Sequence, residues 1–200
     1  MNETEQAEMR KIVCYGDSNT FGHDAQNAIG MHYPDSIRWT GRLSAYGWEA
    51  VNCGLNGRQI PVGDAETEVA AAQIRSHLPA DVVAVMLGSN DILWNPTFTA
   101  EDSAARMETF LRALLPLLRD TKLLLISPPP MIPGAWVEEA RLTEESVRLG
   151  PMYAEIAQRL GIAFTDAALW APELSFDGLH LSEEGHRCFA ERLAEVLQTL

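Results

Sequence analysis

The chain has 200 residues, the length of one ordinary domain, which is enough to bury a core without metal ions or disulfides. Its 28 acidic and 15 basic side chains give a net charge of −13, and 46% of its residues are hydrophobic. A surface that binds phosphates needs excess cations, so the charge argues against a nucleic-acid-binding protein and a polybasic membrane-surface protein. The hydrophobic fraction argues against intrinsic disorder.

The start of the chain and its cysteines indicate a compartment. The first residues are polar and acidic, unlike a signal peptide, and no apolar run reaches the roughly 20 residues of a membrane-spanning helix. Cys14, Cys53 and Cys188 are widely spaced beside apolar residues, which predicts buried free thiols instead of disulfides. We therefore expect a cytoplasmic protein with a single domain over residues 1–200, in which residues 1–9 form a disordered tail.

Short apolar runs alternate along the chain with stretches of helical periodicity. The runs predict five strands, at 11–15, 48–52, 81–87, 122–126 and 162–166. The third and fourth are apolar on both alternating faces, which is typical of strands that helices cover on each side. The pattern predicts a three-layer α/β/α sandwich with a five-stranded parallel sheet, of the flavodoxin-like kind.

Some helix boundaries can be predicted as well. A helix with apolar residues at three- and four-residue spacing (107–118) contains Pro116, which we expect to kink it or end it early. Another helical stretch, 143–160, contains Gly150-Pro151, where we expect a break or restart. The C-terminal helix has Ser182 as its predicted N-cap and acidic residues in its first turn.

Each predicted strand runs into a segment of glycines and polar residues. The segments are 16–20, 52–57, 88–91, 127–130 and, before the last helix, 177–180. Parallel sheets bind ligands beyond the carboxyl ends of their strands. We therefore expect side chains from separate parts of the chain to converge on one edge of the sheet.

Residues in these segments suit nucleophilic catalysis. Ser18 follows the first strand on a tight turn, and a serine needs a base because it is a weak nucleophile at neutral pH. Asp177 and His180 are three residues apart, so the carboxylate can accept a hydrogen bond from one ring nitrogen and leave the other free as a general base. The backbone N–H of Gly54 and the side-chain amide of Asn90 are suited to donate to an oxyanion.

The chain resembles the SGNH (GDSL-type) hydrolase superfamily in four spaced blocks, and the resemblance covers residues 11–200. The blocks are Gly16-Asp17-Ser18-Asn19, Gly54, Gly88-Ser89-Asn90-Asp91 and Asp177-Gly178-Leu179-His180. The resemblance implies Ser18 as nucleophile, Asp177 and His180 as the rest of a triad, and an oxyanion hole made by the Ser18 and Gly54 N–H groups and the Asn90 side chain. Asn19 departs from the motif, which has leucine there; we expect it to alter the pocket floor and not the chemistry.

Within the superfamily the chain looks most like bacterial arylesterases that also perform acyl transfer. The segments that carry this likeness are 38–41, 86–91 and 127–130. The subgroup favours small acyl groups and includes oligomeric members, so the resemblance leaves a homo-oligomer open.

Several polar residues fit simpler, structural roles. Asp17 and Asp91 are expected to hold their loops by accepting backbone hydrogen bonds. A metal site of Asp177, His180 and His186 is disfavoured because the spacing matches no helical i, i+4 pair. We therefore predict no metal site and no cofactor.

The environment of the site is less determined by the sequence. Four apolar residues near the catalytic blocks either line an acyl or aryl pocket or belong to the core: Leu93, Trp94, Trp136 and Leu179. Glycine patterns for nucleotide phosphates are missing from the sequence, as is the Gly-x-Ser-x-Gly elbow of α/β-hydrolases.

We interpret the chain as a serine esterase that hydrolyses small neutral carboxylic esters, with short acyl or aryl groups, through an acyl-enzyme on Ser18. Acyl transfer to alcohols remains open as an additional reaction. The alternatives are a carbohydrate O-acetylesterase, a thioesterase or a lysophospholipase with the same machinery, or a non-catalytic flavodoxin-like binding module. The excess negative charge favours neutral substrates, since a strongly anionic ester would approach against the field.

Overall fold

The structure, a computed structural model, describes residues 9–27, 29 and 31–200. Apart from Met9, the tail predicted at 1–9 lies outside the described residues. Five parallel strands form one sheet: β1 (Arg10–Gly16), β2 (Trp48–Gly54), β3 (Val82–Met86), β4 (Lys122–Ser127) and β5 (Ala163–Asp166). Their order across the sheet is β2-β1-β3-β4-β5, so the predicted flavodoxin-like α/β fold is confirmed.

The described residues contain seven α-helices, which connect and follow the strands. They are α1 (Ser18–Phe21), α2 (Trp39–Arg42), α3 (Gly63–Arg75), α4 (Ser89–Trp94), α5 (Ala100–Leu114), α6 (Ala140–Leu160) and α7 (Glu183–Leu197). In the part of the chain that the structure describes, no helix combines the length and apolar character needed to cross a membrane.

Helices cover both faces of the sheet. Along β1, Val13 and Tyr15 pack into a core with α3, α5 and α6, whereas Ile12 and Cys14 pack into a second core with α2 and α7. The same alternation continues through β3 and β4, all of whose apolar side chains are buried. Because both faces are covered, these strands have continuous apolar sequences.

The expected break at Gly150-Pro151 is wrong, because α6 runs without interruption from Ala140 to Leu160. Pro151 lacks the N–H that would bond the carbonyl of Val147, but both residues are exposed, so water can satisfy that carbonyl. Gly150 is buried, and an added Cβ there would be 2.4 Å from Asp166 Oδ2. The glycine therefore lets α6 pack closely on the end of β5.

Two other helix predictions are confirmed. Helix α5 ends at Leu114, and Pro116 lies in the 3₁₀ turn Leu115–Leu117 that follows it. At the start of α7, the hydroxyl of Ser182 accepts the N–H of Gly185 at 3.0 Å. Both ends follow local rules, since proline lacks a donor and a serine side chain satisfies a free N–H of the first turn.

Candidate active site

Ser18 is the first residue of α1, immediately after β1. Asp17 caps this short helix, with its Oδ1 accepting the N–H of Asn19 at 3.0 Å. An added Cβ on Gly16 would lie 2.1 Å from Thr20 Oγ1, so the turn needs glycine there. The strand and the tight turn place Ser18 at the carboxyl edge of the sheet, with 4% of the residue exposed.

Ser18, His180 and Asp177 form one hydrogen-bonded chain at this edge. His180 Nε2 lies 3.0 Å from Ser18 Oγ, and His180 Nδ1 lies 2.6 Å from Asp177 Oδ2. All three residues are buried. A carboxylate that accepts the Nδ1–H leaves Nε2 as an acceptor for the serine hydroxyl. This arrangement can remove the hydroxyl proton as the oxygen attacks an acyl carbon.

The environment of Asp177 keeps its side chain ionised. Its Oδ1 accepts the N–H groups of Leu179 and His180 at 2.9 and 3.0 Å. Burial opposes ionisation, but hydrogen bonds from the His180 ring and from these two N–H groups outweigh it and lower the pKa of Asp177. Gly178 has φ +79°, which permits the tight turn between the carboxylate and the histidine.

Asn19 connects the loop of His180 to α1. Its Nδ2 donates to the carbonyl of Leu179 at 3.1 Å, and its Oδ1 accepts the N–H of Leu181 at 2.9 Å. The residue after Ser18 therefore holds the backbone on both sides of His180. We did not predict this role, and the only sequence signal for it was an asparagine where the resembling motif has leucine.

Asn90, the expected oxyanion donor, lies in the first turn of α4 and is buried. Its Nδ2 donates to the carbonyl of Arg58 at 3.1 Å, and its Oδ1 accepts the indole N–H of Trp94 at 3.1 Å. Among the described residues, Nδ2 bonds to no acceptor besides that carbonyl. The second amide N–H is therefore available to a ligand.

Gly54, another expected oxyanion donor, ends β2 beside α1. Its N–H donates to Asn52 Oδ1 at 2.8 Å, so this donor is already engaged. An added Cβ on Gly54 would lie 2.1 Å from the backbone nitrogen of Phe21. The glycine is therefore needed for the close approach of β2 to the helix that carries Ser18.

Asp17 and Asp91 hold the local backbone, as the sequence predicted. Asp91 accepts the N–H of Ile60 at 3.0 Å and pairs with Arg106 at 3.1 Å, and Asp17 caps α1. Burial raises the pKa of each carboxyl to about 6. Among the described residues, neither carboxyl has a hydrogen bond to Ser18 or to the His180 ring.

Trp94 and Trp136 form an aromatic rim beside the hydrogen-bonded chain. The ring of Trp136 meets that of His180 edge-on at 5.5 Å between centroids, and the rings of Trp94 and Trp136 lie 6.4 Å apart. Trp94 is 55% exposed and Trp136 is 49% exposed, although both are large apolar groups. The rim therefore presents apolar surface to a ligand at the site.

The loop after β4 brings Trp136 to this position. The N–H of Trp136 donates to the carbonyl of Asp177 at 3.0 Å, and the N–H of Ala135 donates to the carbonyl of Phe176. The other two pocket candidates are placed differently: Leu179 is buried in the core, and Leu93 packs against the same core. Trp94 and Trp136 are thus the candidates that the structure brings to the site.

Two further histidines lie near the site. The ring of His23 lies 4.4 Å from that of His180, and burial followed by the proximity of His180 lowers the pKa of His23. His23 was not a predicted site residue, and its position just after α1 was the available signal. His186 is fully buried, and its Nδ1 accepts the N–H of Trp39 at 3.3 Å. Within the described residues, no three ligating side chains are arranged to hold a metal ion.

Comparison with known proteins identifies the family. The model of the GDSL-like lipase/acylhydrolase family matches residues 14–188, which include Ser18, Asn90, Asp177 and His180. The chain belongs to this family. Among curated proteins, no significant match was found.

Solved structures of esterases resemble this GDSL-like hydrolase over nearly its whole length. An aryl esterase from M. smegmatis is 26% identical, with a TM-score of 0.84, over 96% of this chain and 99% of that one. Est24, a carbohydrate acetylesterase from Sinorhizobium meliloti, is 26% identical, with a TM-score of 0.85, over 95% and 99%. A further carbohydrate acetylesterase family member from that organism is 28% identical, with a TM-score of 0.81, over 96% and 98%. The protein is therefore a hydrolase of ester bonds.

Proposed function

We propose that Ser18, His180 and Asp177 are the catalytic triad, and that the enzyme hydrolyses small neutral carboxylic esters through an acyl-enzyme on Ser18. The observation that carries the proposal is their hydrogen-bonded chain, with distances of 3.0 Å from Ser18 to His180 and 2.6 Å from His180 to Asp177. The distances suit proton transfer from the hydroxyl to the ring.

The reaction then has two halves. Ser18 Oγ bonds to the acyl carbon, its proton moves to His180 Nε2, and the carbonyl electrons move to the oxygen, which becomes an oxyanion. Collapse of this intermediate breaks the bond to the leaving alcohol, which takes the proton from His180. Water attacks the acyl-enzyme by the same steps, releasing the acid and restoring Ser18. An alcohol in place of water gives acyl transfer.

The oxyanion is assigned to three donors of unequal availability. The N–H of Ser18 is in the first turn of α1, where a helix supplies no acceptor. The second amide N–H of Asn90 is available, as described above. The N–H of Gly54 already bonds Asn52 Oδ1 at 2.8 Å and reaches the oxyanion only as a shared donor. We therefore expect Asn90 to contribute more than Gly54.

The substrate class follows from the surroundings of the triad. The aromatic rim favours an apolar or flat group on the ester, which fits aryl and short acyl esters. The net charge of −13 disfavours anionic esters. A carbohydrate acetylesterase is the second candidate, because Est24, a carbohydrate acetylesterase, resembles this chain with a TM-score of 0.85.

We further propose that the chain acts as one domain in the cytoplasm, either alone or as a homo-oligomer. Its three cysteines are free, and two of them, Cys14 and Cys53, are buried. Unpaired thiols suit a reducing compartment.

The test compares Ser18→Ala with wild type on p-nitrophenyl acetate, with Ser36→Ala as the control because Ser36 is exposed and outside the site. We expect Ser18→Ala to abolish hydrolysis and to prevent covalent labelling by a fluorophosphonate. A Ser18→Ala enzyme with the wild-type rate would refute the mechanism. Comparing acyl chains from C2 to C12 with acetylated sugars then separates the two candidate substrate classes.

A further inference from the structure

Trp94 and Asn90 are one helical turn apart on α4, at the last and second positions of the helix. The indole N–H of Trp94 donates to Asn90 Oδ1 at 3.1 Å, and Asn90 Nδ2 donates to the carbonyl of Arg58 at 3.1 Å. The planar amide of Asn90 is thus held at both ends, by a donor on its oxygen and an acceptor on its nitrogen.

These two bonds also select the orientation of the amide. If the amide flipped, its oxygen would face the carbonyl of Arg58 and its NH₂ group would face the indole N–H. Two acceptors would then meet at one end and two donors at the other, so the flipped state loses both hydrogen bonds. In the observed orientation, the second N–H of Asn90 is left for a ligand.

The end of α4 is secured without Trp94. Asn95 Nδ2 donates to the carbonyl of Asp91 at 2.7 Å, and Arg141 Nη2 donates to the carbonyl of Ile92 at 3.1 Å. The ring of Trp94 is half exposed, whereas its neighbour Leu93 packs against the core. The hydrogen bond from Trp94 to Asn90 is therefore not needed to hold the end of α4, and its effect is on the orientation of the Asn90 side chain.

The aromatic rim also links the two sides of the site. Trp136 contacts the ring of His180, at 5.5 Å between centroids, and Trp94 contacts Trp136 at 6.4 Å. A continuous path of contacts thus runs from the general base, through the rim, to the oxyanion donor.

We propose that Trp94 is a positioning residue, whose indole N–H holds the Asn90 amide in the orientation that donates to the oxyanion. The inference rests on the proposed function, because it acts only if Asn90 is an oxyanion donor. Trp94 then has two roles: its ring is part of the apolar surface that receives the substrate, and its N–H holds the amide that stabilises the transition state.

The test is Trp94→Phe, which keeps an aromatic ring and removes the N–H. A positional hydrogen bond of about 1 kcal/mol corresponds to a loss of roughly fivefold in kcat, with KM changed by less than about twofold. Trp136→Phe is the matched comparison, because no hydrogen bond from its indole N–H occurs among the described residues. We expect kcat of Trp94→Phe to be the lower of the two by a similar factor.

A double-mutant cycle with Asn90→Ala separates positioning from a general structural effect. If Trp94 acts through Asn90, Trp94→Phe lowers kcat in the wild type and not in Asn90→Ala. The kcat values are expressed per active site titrated with a fluorophosphonate, so that misfolded enzyme is not counted. Unchanged kcat in Trp94→Phe, a loss confined to KM, or equal losses in both backgrounds would overturn the inference.

Failure of the proposed function gives a different pattern. If Ser18→Ala keeps its activity, the proposed mechanism is wrong. If Asn90→Ala keeps its kcat, the oxyanion assignment and the inference built on it are both wrong. If Asn90→Ala loses activity and Trp94→Phe does not, only the role of Trp94 is wrong.

Discussion

His186 should make the stability of this enzyme depend on pH, and His186→Gln is the substitution that tests it. The side chain is fully buried on α7, between the N–H of Trp39 and the ring of Tyr33. Its Nε2 has no hydrogen-bond partner among the described residues. Burial, followed by the charges of Arg38 and Arg42, lowers the pKa of His186 from 6.5 to about 3.

The sign and size of the effect follow from proton linkage. Between pH 6.5 and about 3, the unfolded chain protonates this histidine and the folded chain does not, so stability falls as pH falls. A pH of 5 is about 1.5 units below the pKa of the imidazole in the unfolded chain, and each unit corresponds to about 1.36 kcal/mol. His186 thus lowers the free energy of unfolding by about 2 kcal/mol between pH 8 and pH 5.

Urea unfolding of wild type and His186→Gln at pH 8 and pH 5 measures the effect. Asp17 and Asp91 oppose it, because their pKa values are raised from 3.8 to about 6 and they add stability as pH falls through 6. Both enzymes contain these carboxyls, so their contribution cancels in the difference between the variants. We expect the stability cost of His186→Gln to shrink by about 2 kcal/mol at pH 5.

The same cost at both pH values would refute the reasoning, since it would mean that the buried ring takes up its proton as readily as the unfolded one. The matched control is His77→Gln, which makes the same chemical change at a partly exposed position just after the C-terminal end of α3. Its cost is expected to be smaller than that of His186→Gln at pH 8, because a partly exposed ring forfeits less packing.

Two further predictions concern the site. Asn90→Ala should lower kcat by roughly 10²–10³ with little change in KM, because the lost donor acts mainly in the transition state; steady-state kinetics with unchanged kcat would exclude Asn90 from that role. Asn19→Leu should lower kcat by about tenfold and the free energy of unfolding by about 2 kcal/mol, because it leaves the Leu179 carbonyl and the Leu181 N–H without partners. Wild-type kcat and an unchanged urea midpoint in that variant would show that these bonds do not hold His180.

Most of the architecture could be predicted from local sequence patterns. The short runs identify all five strands. The signal is clearest for β3 and β4, because a strand covered on both faces must be apolar at successive positions. The polar segments after the strands predict the edge of the sheet where Ser18, Asp177 and His180 meet. This works because parallel strands all end at the same edge, so topology alone brings distant segments together.

Helix α6 shows where a local rule is insufficient. Gly150-Pro151 is a strong local signal for a break, yet the helix continues. The carbonyl that lacks its hydrogen bond is on an exposed residue, and the buried Gly150 allows close contact with Asp166. Packing of the whole helix on the sheet therefore outweighs a preference of two residues.

The sequence by itself thus determined which segments end the strands. It also determined which side chains in those segments can act as nucleophile, base and carboxylate. Only the tertiary structure decided that Asn19 holds both neighbours of His180, that Trp136 meets the His180 ring, and that Leu179 belongs to the core. Periodicity and spacing report the face on which a residue lies within its own element. The partner that it meets there depends on how separate segments pack, and residues 19 and 180 are neighbours only because the sheet brings their loops to one edge.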